Sequence, residues 1–393
     1  MADKNQFQIM LVAGEPSGDL HAADLLQELN LRESRSELNF TSYGMGGERM
    51  RQQGFTSIVG IEQMAVMGIV EILKHFPTLY RVLQQMRALL KTRRPDLLIL
   101  VDYPGFNLLL AKSAKKLGIK VLYYISPKVW VWREGRVNKL AKWVDHIALI
   151  FPFELPYFQR VGLAATYVGN PLVRQIETTA SRAESVAESR TKLTLDPNKI
   201  TVGLFPGSRK AEVEQLLPTL LESAELIYTQ NSSLQFVLSQ ADELPIEMFE
   251  LAKHSALPIQ IVKGDSHRAM RSCSAVVTAS GTITLELALL NIPMVVIYKI
   301  SALSYAIIRR LINTEYISLV NIVEGDEVVV ELLQENVNAE RIVKELSEIV
   351  PGGGIIGKNR DEMLLGLQRV KSKLGDGEST QRLADLVGSM LNE

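Results

Sequence analysis

Short apolar runs alternate with longer segments of helical period along most of this chain, and this alternation limits the folds that it can adopt. The runs are rich in leucine or β-branched residues, and loops rich in Gly, Pro or Ser follow those of the first half. This pattern is typical of βαβ units that build a parallel sheet. We predict strands at residues 8–13, 40–44, 97–101, 120–125, 146–151, 166–169, 200–205, 234–239, 258–262, 275–279 and 294–298.

A polar stretch divides these strands into two series. At 393 residues the chain is long enough for two domains with full-sized cores. The strand pattern stops near residues 169–171, and residues 175–199 have the polar composition of a linker and a surface helix. We therefore predict an α/β fold with two doubly wound, Rossmann-like domains, 1–172 and 173–359, that face each other across a ligand cleft. The last helices, residues 360–393, can return across the first domain.

Composition and residue spacing exclude several classes of function. The formal net charge of −1 argues against a nucleic-acid partner held by bulk electrostatics. Cys273 is the only cysteine, so the chain can form neither an internal disulfide nor a cysteine-based zinc site. The five histidines show no H-x-x-x-H or H-E-x-x-H spacing, and no D-x-D is present to hold a magnesium diphosphate. We therefore expect no metal and no other cofactor.

One strand-to-helix turn, within GLFPGSRKAEVEQLLP at residues 203–218, has residues suited to an anion. The first N–H groups of a helix have no internal partner, and the helix dipole attracts negative charge to that end. Gly207 permits a close approach to the backbone, while Ser208 and Arg209 supply a hydroxyl and a planar cation that suit phosphate. An ordinary capped turn is the alternative.

A second turn, within VVTASGTITLELALL at residues 276–290, repeats this arrangement with Ser280-Gly281-Thr282. Two helix amino termini that converge can hold a diphosphate better than one. Glu286, one turn into the helix, carries the wrong charge for a phosphate and fits sugar hydroxyls instead. The alternative for Glu286 is a solvated helix residue.

Two loops of the first half follow strands and carry carboxylates. Asp102 stands directly at the end of the strand 97–101, where a carboxylate with apolar residues behind it can be a general base of tuned pKa. A helix cap is the alternative. The loop after the first strand is a poor match to a dinucleotide fingerprint, but its glycines permit close approach by a second substrate. We assign to this acceptor-side loop Glu15, Ser17, Gly18 and Asp19.

The segment 65–94 combines an apolar cluster with a row of basic residues. Such a combination suits an anionic membrane surface or an acyl chain. A core helix with a solvated basic face is the alternative. The apolar cluster consists of Val66, Met67, Ile69, Val70, Ile72 and Leu73.

Seven ordered motifs over residues 13–290 resemble those of the lipid-A-disaccharide synthase family. They are AGEPSGD, GMGGERM, AVMGIVEIL, VDYPGFN, YYISPKVWVWREGRV, PGSRKAEVE and ASGTITLELAL. Residues 315–336 extend the resemblance. It implies an inverting glycosyltransferase of the GT-B type, with two Rossmann-like domains and no metal.

The resemblance also implies a reaction and its place. A 2,3-diacylglucosamine unit would pass from UDP to the 6-hydroxyl of 2,3-diacylglucosamine 1-phosphate, which gives UDP and the β-1′,6-linked lipid A disaccharide. The enzyme would be cytoplasmic and peripheral on the inner face of the cytoplasmic membrane of a Gram-negative-type bacterium. The resemblance allows a homodimer that exchanges its C-terminal helices.

Individual residues fall on functional positions of the family. Asp102 falls on its essential aspartate, and the 66–73 cluster falls on the patch that meets membrane and acyl chains. Asn321 falls on a nucleotide-side position that a swapped partner subunit can supply. The implied UDP-binding residues are Gly207, Ser208, Arg209, Glu212, Ser280, Gly281, Thr282, Glu286 and Asn321.

Two other functions suit the same turns. An isomerase such as a UDP-N-acetylglucosamine 2-epimerase would also need diphosphate-binding helix ends, but no lipid acceptor. A non-catalytic nucleotide-sugar-binding protein would bind UDP with no dependence on Asp102. The chain departs from the family's usual pattern at Gly105, Asn170 and Val320, so we assign no acid–base role to Asn170.

Overall fold

The computed structural model describes residues 6–63, 69–129, 135–179, 182–301, 305, 314–351 and 358–392. The chain divides into two compact units. The N-terminal unit contains Met1–Pro171 and Gly375–Glu393, and the C-terminal unit contains Leu172–Leu374. None of the helices in the described ranges has both the length and the apolar character that a membrane crossing requires.

The N-terminal unit is built on a seven-stranded parallel sheet with the order β3-β2-β1-β4-β5-β6-β7. Its strands are β1 (Phe7–Ala13), β2 (Phe40–Met45), β3 (Thr56–Val59), β4 (Leu97–Val101), β5 (Lys120–Tyr124), β6 (His146–Leu149) and β7 (Ala164–Tyr167). Its helices before the linker are α1 (Pro16–Ser34), α2 (Glu48–Gln52), α3 (Ile69–Arg93), α4 (Pro104–Lys116), α5 (Gly135–Trp143) and α6 (Leu155–Gln159). Separate apolar clusters cover its two faces, so all five residues of β4 are fully buried.

The C-terminal unit is built on a six-stranded sheet with the order β10-β9-β8-β11-β12-β13, again parallel in every pair. Its strands are β8 (Thr201–Phe205), β9 (Gln235–Gln240), β10 (Ile259–Lys263), β11 (Ala275–Ala279), β12 (Met294–Tyr298) and β13 (Glu331–Leu333). Its helices are α7 (Pro171–Thr178), α8 (Val186–Lys192), α9 (Lys210–Gln230), α10 (Glu250–Lys253), α11 (Ser266–Ser272), α12 (Ile283–Leu289), α13 (Leu319–Glu324), α14 (Ala339–Ile349) and α15 (Lys358–Leu374).

The prediction of two doubly wound α/β domains is confirmed, and each of the eleven predicted strands has a counterpart. Two strands, β3 and β13, were not predicted. Each is the edge strand of its sheet. An edge strand pairs on one side only and can be very short. Neither β3, with four residues, nor β13, with three, leaves a long apolar run in the sequence.

The last two helices belong to different units, so the predicted segment 360–393 is divided between them. Helix α15 packs against α12, α13 and α14. The final helix, α16 (Ser379–Asn392), packs against α1 of its own chain. Its buried residues, Leu383 and Val387 among them, join the apolar cluster beneath α1, and Arg32 lies 2.7 Å from the Asp385 carboxylate. The last helix therefore completes the core of the N-terminal unit.

Truncation of Leu383 to Ala is expected to destabilise the N-terminal unit by about 2–5 kcal/mol, because it leaves a cavity in a closely packed core. Leu383 is 1 % exposed. Trp143 ends α5 of this unit, so its fluorescence during urea unfolding reports on the unit. Leu31 on α1 is 48 % exposed, and Leu31→Ala is the control, with an expected change within about 0.5 kcal/mol. Equal effects of the two changes would contradict the packing of α16.

Candidate active site

In each sheet the strand order changes direction at one point. The loops that we predicted to bind ligands follow the two strands on either side of that point. In the N-terminal sheet β1 pairs with β2 on one side and β4 on the other. In the C-terminal sheet β8 pairs with β9 and β11. Parallel sheets bind ligands beyond the carboxyl ends of the strands at such a switch point. We call residues 14–19 and 102–107 the N-terminal loop pair, and residues 206–209 and 280–286 the C-terminal loop pair.

Asp102 begins the second loop of the N-terminal loop pair with a constrained backbone. Its φ is 46° and that of Tyr103 is 47°, so two successive residues adopt the left-handed conformation. The Asp102 carbonyl accepts hydrogen bonds from the Tyr123 hydroxyl at 2.6 Å and from Asn107 Nδ2 at 2.7 Å. Its N–H donates to the Tyr124 carbonyl at 2.9 Å. A strained conformation that its surroundings hold this firmly is typical of a functional site.

The surroundings of Asp102 change the acidity of its carboxyl group. Burial raises the pKa of Asp102, against smaller opposing effects from the Tyr103 N–H and the Lys128 charge. Burial and the charge of Asp102 together raise the pKa of Glu15. A carboxylate with a raised pKa is a stronger base, as general base catalysis requires. The alternative of a helix cap is not supported, because Tyr103 occupies the N-cap of α4 and no side chain caps that helix.

The first loop of the N-terminal loop pair lies against Tyr103. A Cβ on Gly14 would stand 2.5 Å from the Tyr103 ring, so only glycine fits there. Glu15 and Ser17 are exposed, and Gly18 is buried against Ala13. Among the four residues assigned to the acceptor side, Glu15 and Ser17 are therefore the ones whose side chains a substrate can reach.

The Asp19 carboxylate accepts hydrogen bonds from the backbone of its own unit. Its carboxylate accepts hydrogen bonds from the backbone N–H groups of Gly47 at 2.6 Å and Arg49 at 3.1 Å, at the start of α2. Its side chain is buried, and the Met50 N–H adds a third, longer bond at 3.4 Å. Asp19 thus joins the AGEPSGD and GMGGERM motifs, and this geometry does not support a direct contact with an acceptor.

In the C-terminal loop pair, the turn at 207–209 has an exposed cation at the start of a long helix. Gly207 has a φ of 107°, and a Cβ there would stand 2.4 Å from a Glu212 carboxylate oxygen. Glu212 accepts hydrogen bonds from the Arg209 N–H at 3.3 Å and from Arg209 Nη1 at 2.6 Å. The Arg209 side chain is nevertheless 78 % exposed, and Ser208 is exposed beside it. Glu212 therefore supports the turn, while Arg209 and Ser208 face solvent.

The second turn of the C-terminal loop pair leads into α12. The Ser280 hydroxyl donates to the Ile317 carbonyl at 3.2 Å, and the Thr284 hydroxyl donates to the Gly281 carbonyl at 2.8 Å. Thr282 is exposed at the start of the helix. These bonds fix the turn and leave the Thr282 hydroxyl accessible to a ligand.

Glu286 has a partner that the sequence did not indicate. Its carboxylate Oε2 lies 3.2 Å from His267 Nε2. His267 has no metal-binding spacing in the sequence, and it lies in the first turn of α11, away from both predicted turns. In the part of the chain that the structure describes, no group of three or more His, Cys, Asp or Glu side chains is arranged to hold a metal ion.

The side-chain amide of Asn321 makes all of its hydrogen bonds within the chain. Its side-chain oxygen accepts from the N–H groups of Val328 at 2.8 Å and Val329 at 3.0 Å. Its side-chain nitrogen donates to the Val329 carbonyl at 2.8 Å and to Glu331 Oε1 at 2.9 Å. An amide has four such sites, and Asn321 is completely buried. These bonds do not support the predicted UDP contact and indicate that Asn321 holds the loop before β13.

The side chains of the predicted apolar cluster are not among those that the structure describes. Val66 and Met67 lie outside the described residues. Ile69, Val70, Ile72 and Leu73 belong to α3, but their side chains lie outside the described part.

Comparison with known proteins decides the family. A family model described as lipid-A-disaccharide synthetase matches residues 9–373. The lipid-A-disaccharide synthase of Geobacter metallireducens is 42 % identical over 389 residues, 98 % of each chain. That of Geobacter sulfurreducens is 41 % identical over 394 residues, 100 % of each chain. The chain belongs to the lipid-A-disaccharide synthase family.

A lipid-A-disaccharide synthase of Nitrosococcus oceani is also 41 % identical, over 98 % of this chain and 96 % of its own. The family consists of glycosyltransferases, so the predicted enzyme class is confirmed. Solved structures of low identity share the fold alone. The UDP-GlcNAc 2-epimerase of Neisseria meningitidis, bound to UDP-GlcNAc, has a TM-score of 0.64 and 9 % identity over 97 % of this chain and 99 % of its own. The calicheamicin glycosyltransferase CalG4 has a TM-score of 0.59 and 11 % identity over 99 % of each chain. The GT-B fold is thus shared with an isomerase, while the family sequences are those of a transferase.

Proposed function

We propose that this lipid-A-disaccharide synthase family member transfers 2,3-diacylglucosamine from UDP to the 6-hydroxyl of 2,3-diacylglucosamine 1-phosphate. The products are UDP and the β-1′,6-linked disaccharide 1-phosphate. One observation carries the proposal: in both sheets, the loops at the switch point contain the family's motifs. The N-terminal loop pair presents a carboxylate, and the C-terminal loop pair presents an exposed guanidinium.

Asp102 acts on the acceptor in this proposal. Its carboxylate takes the proton of the 6-hydroxyl as that oxygen forms a bond to the anomeric carbon of the donor sugar. The attack comes from the face opposite UDP, so the configuration at the anomeric carbon inverts. A positioned general base contributes about 10²–10⁴-fold to such a step. The three hydrogen bonds that hold the Asp102 backbone support this positioning role.

Arg209 acts on the leaving group. The bond between the anomeric carbon and the diphosphate oxygen breaks, and the bonding electrons pass to UDP. The exposed Arg209 guanidinium, at the amino terminus of α9, is suited to meet the charge that develops there. The hydroxyls of Ser208 and Thr282 supply further donors, and the carboxylate of Glu286 accepts from the sugar hydroxyls of the nucleotide.

The lipid substrates call for a membrane-facing surface. We propose that the 66–73 cluster meets acyl chains at the inner face of the cytoplasmic membrane. Further along α3, Arg81 and Lys91 are exposed, and so is Arg94 just beyond it. Cations at such positions are attracted to anionic lipid headgroups.

The pH dependence of kcat/KM tests the general base. Asp102 must be ionised to take a proton, so activity falls as pH decreases through its pKa. Because burial raises this pKa above the ordinary 3.8, we expect the acid limb of kcat/KM above that pH. Charge repulsion between Glu15 and Asp102 is mutual, so Glu15→Gln is expected to move the limb to lower pH.

Glu37→Gln is the control for this profile. Glu37 is exposed on the turn between α1 and β2, and its replacement is expected to leave the limb in place. An unchanged limb in Glu15→Gln, or an equal shift in both variants, would contradict the coupling between Glu15 and Asp102.

A further inference from the structure

The contact between His267 and Glu286 connects two helices of the C-terminal unit. His267 lies in the first turn of α11, where the Asp265 side chain caps the helix by accepting from the Arg268 N–H at 3.4 Å. Glu286 lies in the first turn of α12 and is separated from His267 by β11 in the sequence. Their side chains are 28 % and 19 % exposed, respectively, so the pair is partly shielded and still reachable from solvent.

The ring protons of His267 depend on its neighbours. A carboxylate only accepts hydrogen bonds, so the 3.2 Å contact between His267 Nε2 and Glu286 Oε2 is attractive when Nε2 carries a proton. The other ring nitrogen, Nδ1, lies 3.3 Å from the Thr179 hydroxyl oxygen. That hydroxyl is also 2.9 Å from the Gln175 carbonyl, to which it can donate. The imidazole therefore has a polar neighbour at each ring nitrogen. A proton on Nε2 fits a neutral ring whose Nδ1 accepts from the Thr179 hydroxyl, or an imidazolium whose Nδ1–H donates to that hydroxyl while the hydroxyl donates to Gln175.

This contact leaves one carboxylate oxygen of Glu286 for a ligand. Glu286 Oε2 is in contact with His267, whereas the described residues donate no hydrogen bond to Oε1. A glutamate on a first helical turn has several rotamers, and a single fixed oxygen restricts the plane of the carboxylate. A restricted carboxylate loses less conformational freedom when it accepts hydrogen bonds from a ligand.

We infer that His267 is a positioning residue that orients Glu286 toward the ribose hydroxyls of the nucleotide. The inference rests on the proposed function, because it assigns a partner to the same carboxylate. His267 does not touch the reacting atoms. Its loss is expected to weaken binding of the nucleotide and to leave the chemical step nearly unchanged.

Binding of UDP and of 2′,3′-dideoxyuridine diphosphate, measured by calorimetry, tests this inference. His267→Ala removes the contact that restricts the Glu286 carboxylate, and we expect Kd for UDP to rise about tenfold. The dideoxy ligand lacks the hydroxyls that Glu286 accepts from, so its Kd is expected to be the same in wild type and His267→Ala. With the full substrates, KM for the UDP-sugar should rise about tenfold while kcat stays within about threefold.

Three further variants complete the test. His267→Gln places an amide N–H near the position of Nε2 and is expected to restore most of the UDP affinity. His254→Ala removes a histidine of the same unit whose side chain is 80 % exposed and lies 3.8 Å from a Glu250 carboxylate oxygen, and it should change nothing. Glu286→Gln should weaken UDP binding at least as much as His267→Ala.

Each contrary outcome has a distinct meaning. If Glu286→Gln weakens UDP binding and His267→Ala does not, the positioning role is wrong and the proposed nucleotide site stands. Equal weakening of UDP and the dideoxy ligand in His267→Ala would show that His267 does not act through the ribose, which also overturns the inference. If wild type binds UDP and Glu286→Gln leaves its affinity unchanged, both the inference and the proposed role of Glu286 fail.

Discussion

Replacement of Asp102 by Asn is expected to lower kcat by at least about a hundredfold, because general base assistance contributes about 10²–10⁴-fold. Asn keeps the size of the side chain and, like Asp, is among the residues that most readily adopt a positive φ, so the backbone at 46° is preserved. What the change removes is the ability to take a proton. Binding of UDP to the C-terminal loop pair should be unaffected, so a binding measurement separates lost chemistry from lost folding.

Asp96→Asn is a matched control for Asp102→Asn. Asp96 precedes β4 at its opposite end, is exposed, and accepts a hydrogen bond from the Gln8 N–H at 2.7 Å. The two aspartates therefore flank one buried strand, with only Asp102 at a switch point. We expect kcat of Asp96→Asn within about threefold of wild type. A folded Asp102→Asn enzyme that kept more than about a tenth of wild-type kcat would refute the role of general base.

Replacement of Arg209 by Ala is expected to lower kcat by about 10²–10³-fold, the effect typical of removing one donor that stabilises charge in the transition state. The loss should appear in kcat as well as in kcat/KM, because the charge on UDP grows in the transition state. Arg209→Lys keeps the positive charge but loses the planar fork, so it should recover only part of the rate.

Lys210→Ala is the control for Arg209→Ala. Lys210 is the next residue, its side chain is 73 % exposed, and its ammonium lies 3.7 Å from a Glu214 carboxylate oxygen. It adds a similar charge near the same helix end without belonging to the turn. We expect a change in kcat of less than about threefold, since exposed ion pairs contribute little. Similar losses in Arg209→Ala and Lys210→Ala would mean that general charge near α9, and no specific contact, supports the reaction.

The fold could be predicted because burial on both faces leaves a clear pattern in the sequence. All five residues of β4, Leu97–Val101, are fully buried, and a strand of this kind reads as an uninterrupted apolar run. The edge strands β3 and β13 lack this pattern because each pairs on one side only. The predicted segment 360–393 is divided between the units: α15 belongs to the C-terminal unit, and α16 belongs to the N-terminal unit. The amphipathic pattern of a helix shows which of its faces is buried, but it does not indicate which of the two units the helix packs against.

From the sequence, only those site residues that come shortly after a strand could be predicted. Asp102 follows β4 directly, and Arg209 follows β8 after three intervening residues, so the sequence itself places both beyond the carboxyl ends of strands. Whether a polar side chain is free for a ligand depends on contacts that the sequence does not display. Asp19 is occupied by the backbone of Gly47, 28 residues away. In the same way, Asn321 is satisfied by Val328, Val329 and Glu331, whose approach depends on the folded loop before β13.

His267 shows the converse case. A lone histidine with no metal-binding spacing carries no signal in the sequence, and its partners Thr179 and Glu286 come from two other segments of the chain. Only the folded C-terminal unit brings the three together.

The most direct measurement is a mass-spectrometric assay of the purified protein in mild detergent. It would receive UDP-2,3-diacylglucosamine with and without 2,3-diacylglucosamine 1-phosphate. We predict that disaccharide 1-phosphate and UDP appear in equal amounts, only when both substrates are present, and that both disappear in Asp102→Asn. Failure to form disaccharide from the pair, or formation at the wild-type rate by Asp102→Asn, would contradict the proposed reaction or its general base, respectively.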